Sequence, residues 1–108
     1  MLNNGDYSMV ITTCADRESA KRLASAVVSS RLAACAQLIP IESIYVWSGE
    51  VCNEEETMLV MKTKTALFDK LSAEIKSNHG YEVPQIIRIP ITGGLPEYLN
   101  WIDETILD

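Results

Sequence analysis

From Ala33 to Ser48 the sequence holds one extended pattern, broken only at Pro40. At roughly 3.3 Å per residue such a segment reaches about 50 Å, more than a chain of 108 residues can cover with its own elements. Part of it must project. Proline lacks the amide hydrogen that a central strand donates, so Pro40 confines this strand to a sheet edge or a bulge. Turn-forming residues follow at Ser48-Gly49-Glu50 and Cys52-Asn53-Glu54, and Thr57 to Thr63 reads as the returning strand of a hairpin.

The remaining elements fall on either side of that hairpin. Tyr7 to Thr13 is rich in β-branched and apolar residues and ends at Cys14-Ala15-Asp16, where Asp16 has the chemistry of a helix N-cap. Ala20, Leu23, Ala24, Val27 and Val28 recur at helical spacing, which predicts a helix ending near Arg31. A second helix is expected from about Thr65, with Leu67, Phe68, Leu71 and Ile75 on one face, and a fourth strand over Ile86 to Ile89. Pro96 suits a first helical turn, and Leu99, Ile102 and Ile106 stripe a short terminal helix. This order predicts an α/β (α+β) chain: a ferredoxin-like βαββαβ sandwich with an extended β-hairpin arm and a C-terminal helix, in strand order 4-1-3-2. Residues 7–108 form a single domain in this reading, and residues 1–6 a disordered N-terminus.

Two crossover helices cover one face of such a sheet. Met9-Val10-Ile11, Met58-Leu59-Val60-Met61 and Ile86-Ile87 nevertheless carry apolar residues toward both faces. An exposed second face would exceed the apolar patch that monomers tolerate. Self-assembly is therefore expected, with the arm supplying backbone groups to a neighbouring copy.

Composition removes several classes of function. A net charge of −6 without clustered Lys or Arg argues against nucleic acid. No apolar run is long enough to span a membrane, and none starts the chain in the manner of a secretory signal. Three cysteines without CxxC spacing predict neither a disulfide framework nor a zinc knuckle, and fit reduced thiols in the cytoplasm.

The expected topology gathers chemistry at one end of the sheet. Cys14 ends the first strand, while His79, Tyr81 and Glu82 precede the fourth, so thiolate, imidazole and carboxylate converge as a soft or borderline metal site. The following helix N-terminus would favour the thiolate. Packing is the competing role for a small strand-end cysteine and a lone histidine. Cys35 is expected in the core and Cys52 on the arm. Tyr45, Trp47 and Tyr81 suit a partly wet cleft between copies, and Lys62 either pairs with Glu56 or offers charge to an anionic effector. Without GxSxG, HExxH or a P-loop, and without a third residue to orient a Cys14–His79 pair, a binding role is expected rather than an enzyme.

Several segments resemble the CutA family: Arg31-Leu32-Ala33-Ala34-Cys35-Ala36, Ser43-Ile44-Tyr45-Val46-Trp47-Ser48-Gly49, Glu56 with Lys62-Thr63, His79-Gly80-Tyr81-Glu82-Val83-Pro84, and Tyr98-Leu99-Asn100-Trp101-Ile102. The resemblance implies a homotrimer shaped like the PII signalling proteins, involved in tolerance of copper and other divalent cations. It implies copper or another divalent metal on Cys14 and His79, with Glu82 as a further oxygen donor. Its alternative implication is a PII-like signalling module that binds a small anion in inter-subunit clefts near Trp47, Lys62 and Tyr81. Asn78 precedes His79 where some relatives carry a second histidine, and Gly80 stands where a proline is common, which thins the ligand set.

Overall fold

In a computed structural model, which describes residues 6–107, β1 spans Tyr7–Cys14 and hands the chain to Asp16. The Asp16 carboxylate accepts from the Ser19 amide at 2.8 Å and starts helix α1, Arg17–Ser29. Arg31 takes a positive φ of 63° and turns the chain into β2, Cys35–Trp47. Then follow β3, Glu50–Lys64, a 3₁₀ turn over Thr65–Leu67, helix α2, Phe68–Asn78, β4, Ile86–Ile91, and helix α3, Pro96–Thr105. The expected start at residues 1–6 lies outside the described residues, apart from Asp6, whose carbonyl accepts from the Thr65 amide at 2.9 Å.

The sheet order is β2-β3-β1-β4, the order expected from the sequence. Every neighbouring pair is antiparallel, so the strands joined through α1 and those joined through α2 run parallel across the sheet. β2 is an edge strand, which is why Pro40 sits in mid-strand opposite Thr57 without ending the ladder.

β3 begins at Glu50 rather than at Thr57. The stretch Cys52-Asn53-Glu54, expected as a turn, lies in the strand because the ladder with β2 continues through Tyr45–Cys52 to Trp47–Glu50. Only Ser48 and Gly49 turn, at φ of 52° and 78°. Two residues of positive φ match the right-handed twist of the flanking strands and close a tight hairpin. β1 pairs with β3 only from Thr57 to Lys64. Residues 41–47 and 50–56 therefore stand alone as a two-stranded arm of about 23 Å, and the molecule measures 48 × 25 × 22 Å.

The pairing register assigns each strand residue to a face. One face turns Val10, Cys14, Leu59 and Met61 into a core with Leu23, Val27, Leu71 and Ile75 of the two crossover helices. On the other, α3 seals one end by packing Leu99 and Ile102 on Tyr7, Ala34 and Leu67, with Ile106 just beyond it. Past α3, this face is open. Met9, Ile11, Met58 and Val60 are half-buried, while Ile39, Ile87 and Ile89 are exposed by 44%, 44% and 36%. Truncation of a helix residue in the closed core, Leu71→Ala, is expected to cost about 2–5 kcal/mol in denaturant unfolding at fixed protein concentration. A loss below about 1 kcal/mol would mean that α2 is not packed on the sheet as described.

Candidate functional site

His79 follows α2 and is held from both sides. Its Nε2 lies 2.8 Å from the Thr13 carbonyl oxygen, and its Nδ1 accepts the Tyr81 amide hydrogen at 3.0 Å. A nitrogen that accepts carries no proton, so the proton sits on Nε2 and is donated to Thr13. The imidazole is neutral and both nitrogens are committed. His79 thereby ties the loop before β4 to the end of β1, and its ring packs 4.9 Å from that of Tyr81.

Cys14 lies beside it. The two line a cavity of about 240 Å³ together with Asp16, Ser19 and Tyr81. Thiol and imidazole both line this cavity, and the thiolate expected there is disfavoured. Burial pushes the Cys14 thiol up, and the Asp16 and Glu56 carboxylates push it further. These effects outweigh the helix N-terminus, whose charge preference is spent on the Asp16 cap. Among the described residues, no group of three His, Cys, Asp or Glu side chains is close enough to hold a metal ion. Metal ligation by Cys14 and His79 would require loss of the thiol proton and release of one of the two imidazole hydrogen bonds.

Glu82 belongs to a different space. It lines an open cleft of about 500 Å³ under the base of the arm, while its carbonyl accepts from Lys76 Nζ at 2.6 Å. The far walls are Tyr45 and Trp47 from β2, Glu54 and Glu56 from β3, and Thr13 from β1. The register puts all five on the open face of the sheet. The Tyr45 hydroxyl donates to the Glu54 carboxylate, and Tyr81 donates to Glu56 Oε2 at 2.7 Å. The bond to Glu54 pushes the Tyr45 phenol up to about 12. Burial, then the bond to Glu56, raises that of Tyr81.

Trp47 and Tyr81 therefore share a cleft as the sequence suggests, but Lys62 is not in it. Lys62 donates to Gln37 Oε1 at 3.0 Å and lies 5.9 Å from the Tyr98 ring centroid. It does not pair with Glu56, which takes the Tyr81 hydroxyl instead. Cys35, expected in the core, opens β2 half-buried, its Sγ 3.8 Å from the Tyr98 hydroxyl. Glu54 and Glu56 are not expected in a cleft when Cys52-Asn53-Glu54 is read as a turn, because a turn there breaks the pairing of Glu54 with Ser43 and Glu56 with Ile41. Alternation along one continuous strand is the signal that places them beside Tyr45 and Trp47.

A family profile described as CutA1 divalent ion tolerance protein matches residues 8–105. The chain belongs to this family. It is 43% identical over 97 residues to the divalent-cation tolerance protein CutA of Thermus thermophilus, covering 89% of this chain and 94% of that one. To the chloroplastic CutA of Arabidopsis thaliana it is 42% identical over 95 residues, covering 87% of this chain and 52% of the relative. The chain thus spans about half the length of that plant relative. Among solved structures, CutA1 from Oryza sativa superposes with a TM-score of 0.93 at 39% identity, with 97% of each chain covered. No helix among the described residues is long and apolar enough to cross a membrane.

The neutral thiol has a measurable consequence. A thiol whose folded value lies above its ordinary 9.0 stabilises the fold below that pH. The contribution is lost as pH rises from there through the folded value, because the unfolded chain releases the proton more readily. Above pH 9, wild-type stability is expected to fall more steeply than that of Cys14→Ala in parallel urea titrations. Identical slopes would show that Cys14 does not ionise differently in the folded state.

Proposed function

We propose that this CutA1-family chain works as a homotrimer in the response to divalent metal ions, binding copper or a related cation at the Cys14–His79 pocket with Glu82 in the adjoining cleft. The open apolar sheet face carries the assembly part of this reading. Helices cover one side of the sheet and α3 only one end of the other, so Ile39, Ile87 and Ile89 are left for further copies to bury. The number three comes from the family resemblance. An arm with unpaired strand edges suits a ring of copies, each reaching to the next.

Three features support the cation part. The names of the relatives in Thermus thermophilus and Archaeoglobus fulgidus speak of divalent-cation tolerance. Between Leu32 and Met61 the chain contains Glu42, Glu50, Glu54, Glu55 and Glu56 but no Lys or Arg, so the arm is an acidic surface that concentrates cations. Cys14 and His79 meet in one pocket. Because both imidazole nitrogens are hydrogen-bonded, ligation there must compete with the Tyr81 amide or the Thr13 carbonyl, which favours a metal with high affinity for nitrogen and sulfur.

We assign no catalytic role. His79 has no free nitrogen to act as a base toward Cys14, and the thiol is held in its protonated form. We place the protein in the cytoplasm on its three free cysteines. Calorimetric titration with copper and zinc is expected to show saturable binding that Cys14→Ala with His79→Ala weakens by more than about tenfold. Unchanged affinity and stoichiometry in that double variant would assign the cation to other groups.

A further inference from the structure

The two nitrogens of His79 are not equivalent toward a cation. Nε2 carries the proton and donates it to the Thr13 carbonyl at 2.8 Å, while Nδ1 turns its lone pair to the Tyr81 amide at 3.0 Å. A ligating imidazole binds through one nitrogen and donates a hydrogen from the other, commonly to a carboxylate or a backbone carbonyl. The Nε2–Thr13 bond already has that form. Ligation through Nε2 would forfeit the Thr13 bond and move the proton to Nδ1, where it would face the Tyr81 N–H, donor against donor. Ligation through Nδ1 breaks one bond only, that from the Tyr81 amide.

The segment that must yield contains Gly80, which lines the same cavity as Cys14, His79 and Tyr81. Its φ lies outside the positive range and a Cβ built on it meets nothing within 4 Å, so neither backbone nor packing requires glycine in this conformation. What glycine adds here is freedom to rotate, between the ring that accepts and the amide that donates. Gly80 is exposed, so water can take up a released amide. Tyr81 also reaches the arm, its hydroxyl donating to Glu56 Oε2 at 2.7 Å. All of these bonds lie within one chain, and none depends on an uncovered sheet face.

We infer, on the reading that the Cys14–His79 pocket takes a divalent cation, that His79 ligates through Nδ1 and that the Tyr81 amide is a latch over that nitrogen, opened by rotation at Gly80. Nε2 keeps its hydrogen on Thr13 and holds the ring in place throughout. Cys14 supplies the sulfur and gives its proton to solvent. Apparent affinity is then the intrinsic affinity scaled by the fraction of chains with the latch open. Opening is transmitted through Tyr81 to Glu56 at the base of the arm.

The test is heteronuclear NMR of the full chain in its native assembly, titrated with cadmium chloride as a soft divalent probe, alongside ultraviolet absorption of the cadmium–thiolate. Absorption that saturates and is lost in Cys14→Ala reports the pocket itself. At saturation the His79 Nδ1 resonance is expected to move while Nε2 stays protonated, and exchange of the Tyr81 amide with solvent to quicken by about tenfold or more. Gly80→Ala, for which the space around Gly80 has room, should slow that exchange in the cadmium-free protein. It should also weaken cadmium binding by about two- to fivefold, with circular dichroism and sedimentation unchanged. Ligation through Nε2, an undisturbed Tyr81 amide at saturation, or wild-type cadmium affinity in Gly80→Ala would each overturn the latch while leaving the metal reading intact. Absence of any Cys14-dependent absorption would remove the metal reading, and the latch with it.

Discussion

The backbone ladder between β2 and β3 runs without interruption from Cys35–Lys62 to Trp47–Glu50, well past the point where β1 stops pairing. Its inner part completes the sheet over the helices. Its outer part becomes the arm, which puts Tyr45 and Trp47 beside Glu54 and Glu56 and leaves an unpaired strand edge on the side that β1 does not reach. A register slip of one residue would turn the aromatic and acidic set to the opposite face and empty the cleft. The two-residue turn at Ser48-Gly49 holds that register.

Polar chemistry then concentrates where the arm leaves the sheet. His79 spends both nitrogens on the backbone of Thr13 and Tyr81, which fixes the loop that carries Tyr81 and Glu82 against the end of β1. Tyr81 in turn bonds Glu56 on the arm. Arm, loop and first strand are thus linked through one chain of hydrogen bonds. The same arrangement keeps Cys14 protonated, since burial and the nearby Asp16 and Glu56 carboxylates all oppose a thiolate.

Much of the fold was legible because each element carries its own local signal. Asp16 marks the start of α1, Pro96 that of α3, the 3.6-residue stripes mark the helices, and the βαββαβ order fixes the strand sequence in the sheet. The start of β3 was not legible. Asn53 and Glu54 have turn-like or strand-poor preferences, and only pairing with Ser43 and Ile44 on β2 makes them strand. The site divides in the same way. Topology sufficed to bring Cys14 and His79 together, and alternation to pair Tyr45 with Trp47. Which nitrogen of His79 is occupied, and whether Lys62 turns toward the cleft or toward Gln37 and Tyr98, depend on tertiary hydrogen bonds that no local pattern encodes.

Membership of the CutA1 family and the open apolar face together make self-association the claim on which the functional account rests. Sedimentation equilibrium at micromolar concentration measures it directly. The account expects a single species of three times the 12.0 kDa chain mass, converted to smaller species when Ile87 and Ile89 are both replaced by Asp. A stable, soluble wild-type species of one chain mass at that concentration would contradict it.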